Sequence, residues 1–421
     1  LNIGDNGVGF STLVDHKTTR SLGLKLIHPL ARQLKGTITR DESKKGTNYI
    51  VNFRESGKQQ HLNPVPYIPK EAFFPYTCIA SFLIIFSFLI YAKHYSMLKR
   101  LVWVLLLSTQ VFYAQDYFFK KFHPFQSQVP SPEDYLGYPI GAHHTRHDRI
   151  VGYLEMLSEA SDRATLYDYG RTHEGRRLVI LTISAPENIS QLPNLKERHL
   201  AYTQPNANLT VDPDLPVFIN LAYNVHGNEP SSSEAALLTA YTLTASDHPE
   251  ILNYLKNAVI FVDPTINPDG RDRHTQWANM YQGNPLVADP QDAEHNEYWP
   301  GGRTNHYWFD LNRDWLLAIN PESRGKLNWY HEWYPNVVTD FHEMGSQSSY
   351  FFEPMKTNGS LNPIMPKENY EDLNNLFGEY FSQALDSIGS LYFTKEVFDG
   401  TYPGYGSSYP DLQGGLGLLF E

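Results

Sequence analysis

A chain of 421 residues, 41% of them hydrophobic, is long enough for two or three domains and apolar enough for a sizeable core, which excludes a disordered tail. Its net charge of -12 and its lack of clustered Lys and Arg exclude a nucleic-acid partner. The single cysteine, Cys78, excludes an intramolecular disulfide and a cysteine-based metal centre, so any metal must be held by His and carboxylate.

The first residue is Leu rather than Met, and Ile3 to Phe10 is a glycine-rich turn, as expected of a chain that begins within a longer gene. An amphipathic helix is predicted from Ser21 to about Leu34, and residues 36–39 and 46–53 read as a hairpin. Asp5-x-Gly7-x-Gly9 and Ser21-Leu-Gly23-Leu resemble the two glycine boxes of a sensor histidine kinase ATP-binding domain, so residues 1–55 resemble its C-terminal part. The helix that carries that family's magnesium-binding asparagine would lie upstream of these residues, and a working ATP site is not expected.

Residues 56–96 form a linker containing Pro64, Pro66, Pro69 and Pro75. Within it Tyr76 to Ala92 carries no charge and is close to the minimum length of about 17 residues for a transmembrane helix. Lys93, Lys99 and Arg100 favour a cytoplasmic location for its C-terminal side. Residues 97–114 have the basic start, short apolar run and final Ala114 of a secretory signal, although Phe112 stands where a small residue is usual. The expectation is that residues 1–96 are the tail of one gene and a spacer, read through into a second gene starting at Met97. A deliberate membrane-tethered fusion is the alternative. The module 115–421 is then secreted or periplasmic if translation starts at Met97, and membrane-anchored if the whole chain is made.

From Tyr138 onward helical and strand patterns alternate, which predicts an α/β fold with a central sheet. Arg146 to Ala160 is an amphipathic helix. Leu178–Ile183, Pro216–Ala222, Ala258–Val262, Val337–Phe341 and Leu416–Phe420 are short apolar runs suited to strands buried on both faces. Pro230 suits a first helical position, and Ser231 with Glu234 reads as a capping box.

Polar residues follow these strands. His226 and Glu229, three apart beyond the strand ending at Ala222, offer an imidazole and a carboxylate to one point, which suits zinc. His342, at the end of the run from Val337, is the candidate third ligand. Asn267-Pro-Asp-Gly270 and Glu421 follow two more strands, and in an open α/β sheet the active crevice forms at the strands' carboxyl ends. His143, His144 and His147 sit at the start of a helix and read as a solvated face. Glu343, next to His342, is expected to point away from the metal.

Gly170-Arg-Thr-His-Glu-Gly-Arg176, His226-Gly-Asn-Glu229-Pro, Asn267-Pro-Asp-Gly270, Phe309-Asp-Leu-Asn-Arg313-Asp-Trp315 and Thr339-Asp-Phe-His342, in this order, resemble the zinc carboxypeptidase family of the carboxypeptidase A type across about 130–421. The resemblance implies a mixed, mainly parallel sheet of about eight strands flanked by helices. It implies one zinc ion held by His226, Glu229 and His342, with water in the fourth place, and peptide or protein C-termini as substrates. It further implies Glu421 as general base, Asn312 and Arg313 as the grip on the terminal carboxylate, and Asp310 as the carboxylate that orients His226. Arg303 is the expected oxyanion cation, with Arg273 as fallback because the spacing from Arg303 to Asn312 is short for the family. Tyr402, with Tyr405 second, matches its mobile tyrosine, and Tyr409 matches the floor of its side-chain pocket.

A deacylase or amidase of the same fold and a catalytically impaired membrane-tethered binding protein are the competing readings. The family continues for a strand and a helix beyond its base, whereas this sequence stops at Glu421. Little activity is therefore expected from the 421 residues alone, and more once such a segment is supplied.

Overall fold

Alternate residues of two central strands go to opposite sides of one sheet, and this builds a three-layer architecture. In the computed structural model, which describes residues 2–4, 37–40, 48–52, 116–204, 209–356 and 360–421, the chain divides into two compact units, Leu1–Arg100 and Leu101–Glu421. In the first unit, β1 (Asn2–Gly4), β2 (Thr37–Arg40) and β3 (Asn48–Asn52) form an antiparallel sheet in the order β1-β3-β2. The predicted hairpin is there as β2 and β3, while Ile3, read as part of a turn, lies in a strand. The two glycine boxes, the helix from Ser21, the apolar stretch 76–92 and the signal-like stretch 97–114 fall outside the described residues. Among the described residues no helix is long and apolar enough to cross a membrane.

The second unit holds a six-stranded mixed sheet. Its strands are β4 (Ala164–Arg171), β5 (Arg177–Ile183), β6 (Val217–Tyr223), β7 (Ala258–Asp263), β8 (Val337–Phe341) and β11 (Leu416–Phe420), in the order β11-β8-β6-β7-β5-β4. The pairs β11/β8, β8/β6 and β6/β7 are parallel, and β7/β5 and β5/β4 are antiparallel. Among the described residues this sheet has six strands, where the resemblance implies about eight. Two short ones, β9 (Tyr350–Phe351) and β10 (Tyr392–Phe393), pair separately with each other.

Val179, Leu181, Ile260 and Val262 pack on one face of the sheet with α1 (His147–Ala160) and α3 (Pro230–Ala245). Ile180, Val259 and Phe261 pack on the other with Leu195 of α2 (Leu192–Tyr202) and with Leu327, Trp329 and Tyr330 of α6 (Pro321–Trp333). That two-sided burial is why β5 and β7 read as continuous apolar runs rather than alternating ones. Phe261 is fully buried, so Phe261→Ala would cost about 3–5 kcal/mol. β4 lies at the sheet edge, and only one of its eight residues is buried.

Two local expectations are corrected. Ser231 and Glu234 do not form a capping box: the Glu234 carboxylate accepts from the backbone N–H and hydroxyl of Thr145 and from buried Arg271, and the Ser231 N–H is satisfied by Glu343. His147 is no solvated histidine. It is buried, with Nε2 2.7 Å from the Arg177 carbonyl.

Candidate metal centre and cleft

β6, β7, β8 and β11 run parallel, so their carboxyl ends lie along one edge of the sheet, and the candidate residues follow directly. Past β6 the chain turns through Asn224, which takes a left-handed conformation with φ of 57°. Its side-chain amide donates to the His226 and Glu229 carbonyls, each at 2.9 Å, and so closes the turn that presents both side chains. Gly227 inside this turn has no substitute. A Cβ there would lie 2.1 Å from the Gly270 carbonyl carbon and 2.2 Å from the Arg271 nitrogen, both backbone atoms. Gly270 belongs to the Asn267-Pro-Asp-Gly motif, where the Asn267 side chain accepts the Gly270 N–H at the start of α5 (Pro268–Tyr281). That motif therefore caps a helix and seats the neighbouring turn.

His342 follows β8, and its N–H donates to the Phe420 carbonyl at 2.8 Å. Donor atoms of His226, Glu229 and His342 all lie within 4.8 Å of one another, and all three residues are buried. His226 Nδ1 is 2.7 Å from Glu229 Oε1, His342 Nδ1 is 3.0 Å from Glu229 Oε2, and the two Nδ1 atoms are 3.1 Å apart. Two ring nitrogens and a carboxylate facing one another present lone pairs to a common point, which is what a divalent cation requires. The donor set fits zinc. Burial works to raise the Glu229 carboxyl, but hydrogen bonds from both histidines prevail and hold it at about 2, so Glu229 is an anion at neutral pH.

Behind His226, Asp310 Oδ1 lies 3.0 Å from Nε2 and also accepts the Asn312 N–H at 2.9 Å. Burial raises the Asp310 carboxyl, yet the His226 hydrogen bond and the charges of His226, Arg303 and Arg313 bring it well below the usual carboxylate range. Arg303 reaches Asp310 Oδ2 at 3.0 Å and comes within 3.6 Å of Glu229 Oε1, while 47% of its side chain stays exposed. Arg273, the fallback, is committed elsewhere: its guanidinium donates to the carbonyls of Gly301, Thr304 and Asn305. Only Arg303 of the two faces the triad.

Asn312 and Arg313 follow Asp310 in a short helical turn, Leu311–Arg313. Asn312 Oδ1 accepts the Gly406 N–H at 2.8 Å, and its Nδ2 is 2.9 Å from His342 Nε2. The half-exposed Arg313 guanidinium stacks on the Tyr405 ring, 4.6 Å from its centroid. The Tyr402 hydroxyl donates to the Arg313 carbonyl at 2.9 Å, and its ring meets Tyr405 edge-on. Both tyrosines thus flank Arg313. Tyr409 does not lie open to a ligand: it is buried among Trp315 and Tyr330, with its hydroxyl 2.8 Å from His331 Nε2.

Glu421 pairs through its backbone with Phe351, its N–H to the Phe351 carbonyl at 3.0 Å and its carbonyl to the Phe351 N–H at 2.8 Å. Burial pushes its carboxyl up to about 7; the charges of Glu229 and Asp340 raise it further, while those of His342 and His226 lower it. Glu343 turns its carboxylate to the Ser231 N–H at 2.9 Å, and its own N–H donates to Glu229 Oε2 at 3.2 Å.

Two residues near the site escape a sequence reading based on motifs. Glu297 accepts from Asn228 at 2.7 Å and from the Gly302 N–H at 2.9 Å, tying the turn of His226 and Glu229 to the segment that carries Arg303. Asp340 Oδ2 lies 3.0 Å from His342 Nε2. The signal for Asp340 was available, since residues two apart on a strand share a face.

The zinc carboxypeptidase family model matches residues 150–410. The chain is 27% identical over 177 residues to carboxypeptidase E of Caenorhabditis elegans, a match covering 41% of this chain and 30% of that protein. It is 24% identical over 207 residues to the carboxypeptidase N catalytic chain of Mus musculus, covering 45% and 40%. The match therefore spans less than half the length of either relative. Among solved structures, carboxypeptidase A from Helicoverpa armigera superposes with a TM-score of 0.47 at 15% identity, covering 96% of this chain and 85% of that one.

Proposed function

The chain belongs to the zinc carboxypeptidase family, and from that premise we propose that it hydrolyses the C-terminal residue of peptides or proteins at the cleft formed by His226, Glu229, His342, Asn312, Arg313 and Glu421. One observation carries this reading. Asp310 binds the ring of His226 through one oxygen and begins the turn that presents Asn312 and Arg313, so a single residue links the metal triad to a guanidinium suited to a terminal carboxylate.

His226 Nδ1, Glu229 and His342 Nδ1 would hold one zinc ion. When bound, zinc supplies Lewis-acid polarisation of the scissile carbonyl and a lowered pKa for water. Arg313 and Asn312 take the substrate's terminal carboxylate, and Tyr402, hydrogen-bonded to the Arg313 carbonyl, borders the same place. Arg303 opposes the negative charge that develops on the carbonyl oxygen. Glu421 removes the proton from the attacking water and delivers it to the departing amine nitrogen. With translation starting at Met97, the signal-like segment 97–114 would deliver this module out of the cytoplasm; with the whole chain made, the apolar stretch 76–92 would anchor it to a membrane instead.

The test compares a short peptide bearing a free C-terminus with the same peptide as its C-terminal amide, and with N-acyl amino acids. Release of one residue from the free acid alone is expected, and chelation should stop it. Preferred cleavage of the N-acyl amino acids would favour a deacylase, and equal cleavage of acid and amide would contradict an exopeptidase.

A further inference from the structure

The second histidine of the triad has a carboxylate partner of its own. Asp340 and His342 share one face of the strand end, and Asp340 is 2% exposed. Its Oδ2 has no hydrogen-bond partner among the described residues, although it lies 3.0 Å from His342 Nε2. That oxygen is shielded from solvent, and the Gly406 backbone packs beside it, where a Cβ would sit only 2.8 Å away. A buried carboxylate oxygen without a donor is costly, and such an atom calls for an explanation.

Two groups meet Nε2: Asp340 Oδ2 and, at 2.9 Å, Asn312 Nδ2. The Asn312 amide is oriented by the Gly406 N–H, which donates to Oδ1 at 2.8 Å, so the atom turned to His342 is the NH2 group. That group only donates. If Nδ1 is the ligand atom, as the triad's geometry requires, the ring proton resides on Nε2 and needs an acceptor. Asn312 cannot be that acceptor, whereas Asp340 can.

We infer that Asp340 is a positioning residue that accepts the Nε2–H of His342 and so holds Nδ1 bare toward His226 and Glu229. The inference rests on the metal reading proposed above. It gives the triad two carboxylate-to-histidine pairs of different origin: Asp310 reaches His226 from a partly exposed loop, and Asp340 reaches His342 from the buried end of β8. Outer carboxylates of this kind fix the tautomer and strengthen metal binding.

Zinc affinity of the full chain, stripped by chelation and titrated against a chromophoric chelator, tests this. Asp340→Asn is expected to bind zinc about 10- to 100-fold more weakly than wild type, with an unchanged unfolding midpoint in the absence of zinc. Asn312→Ala, which removes the other neighbour of Nε2, is expected to bind zinc as wild type does. Equal affinity in Asp340→Asn and wild type, or an equal loss in Asn312→Ala, would overturn the role of Asp340 while leaving the triad standing. A wild-type protein that takes up no zinc would overturn the triad itself and this inference with it. Should Asp340→Asn fail to fold, 15N spectra of histidine in the zinc-loaded wild type decide the matter. His342 is expected to be protonated at Nε2 with slow exchange, and a bare Nε2 would overturn the inference.

Discussion

Asp310 Oδ1 lies 3.0 Å from Nε2 of His226, on the side of the ring opposite Glu229 and His342. With the Nε2 proton directed at Asp310, Nδ1 is left as the lone-pair face toward the triad. Asp310→Asn replaces an anionic acceptor by a neutral amide that can present either donor or acceptor. Zinc affinity in a chelator competition is expected to fall about 10- to 100-fold, and a wild-type affinity would count against the orienting role.

Arg313 is half-exposed, stacked on Tyr405, 4.0 Å from Asp310 and, among the described residues, hydrogen-bonded to the Asn312 carbonyl through one N–H, which leaves N–H groups for a ligand. Arg313→Ala should raise KM for peptides with a free C-terminus by about 10- to 100-fold, from the loss of a charge-assisted bidentate contact. For the amidated peptide, already a poor substrate, the substitution should change little. Steady-state kinetics on the pair of peptides checks this.

The proposed general base is Glu421, and Glu421→Gln keeps its shape while removing its basicity. The expected result is a fall in kcat of about 100- to 10,000-fold with zinc content unchanged. Loss of zinc in this variant would show instead that Glu421 supports the metal.

Asp411 is buried, and burial raises its carboxyl to about 7 despite hydrogen bonds from the Gly417 N–H and Asn369. The folded value lies above the unfolded one of about 4, so the folded state binds the extra proton between them. This contribution to stability is full below pH 4 and is lost as pH rises through 7. Buried Glu353 is shifted in the same direction, by burial first and by Asp411 second. Asp411→Asn cannot ionise, and its oxygen can still accept from Gly417. In urea unfolding, the stability of Asp411→Asn relative to wild type is expected to grow by about 2–4 kcal/mol between pH 4.5 and pH 8. A constant difference across that range would contradict the assignment.

The fold was legible wherever burial was two-sided. β8 and β11 have the predicted limits, and β5, β6 and β7 shift by one residue, because strands covered on both faces leave uninterrupted apolar runs. β4 was not legible, since an edge strand with only one of its eight residues buried has no such run. At the site, the spacing of His226 and Glu229 and the strand-end place of His342 were enough to pick out three residues whose donor atoms the fold brings together. The choice of Arg303 over Arg273 depended on what each guanidinium touches. Arg273 serves three carbonyls, whereas Arg303 serves Asp310 and approaches Glu229, and no spacing rule distinguishes those roles. The false capping box at Ser231 has the same cause: Glu234 was drawn away by Thr145 and Arg271, residues distant in the sequence.

The metal content of the purified chain, measured for wild type and for His342→Ala after equilibration with zinc and removal of the excess, tests the central claim most directly. One zinc per chain is predicted for wild type, with little or none for His342→Ala. Equal zinc in the two proteins would contradict the triad of His226, Glu229 and His342.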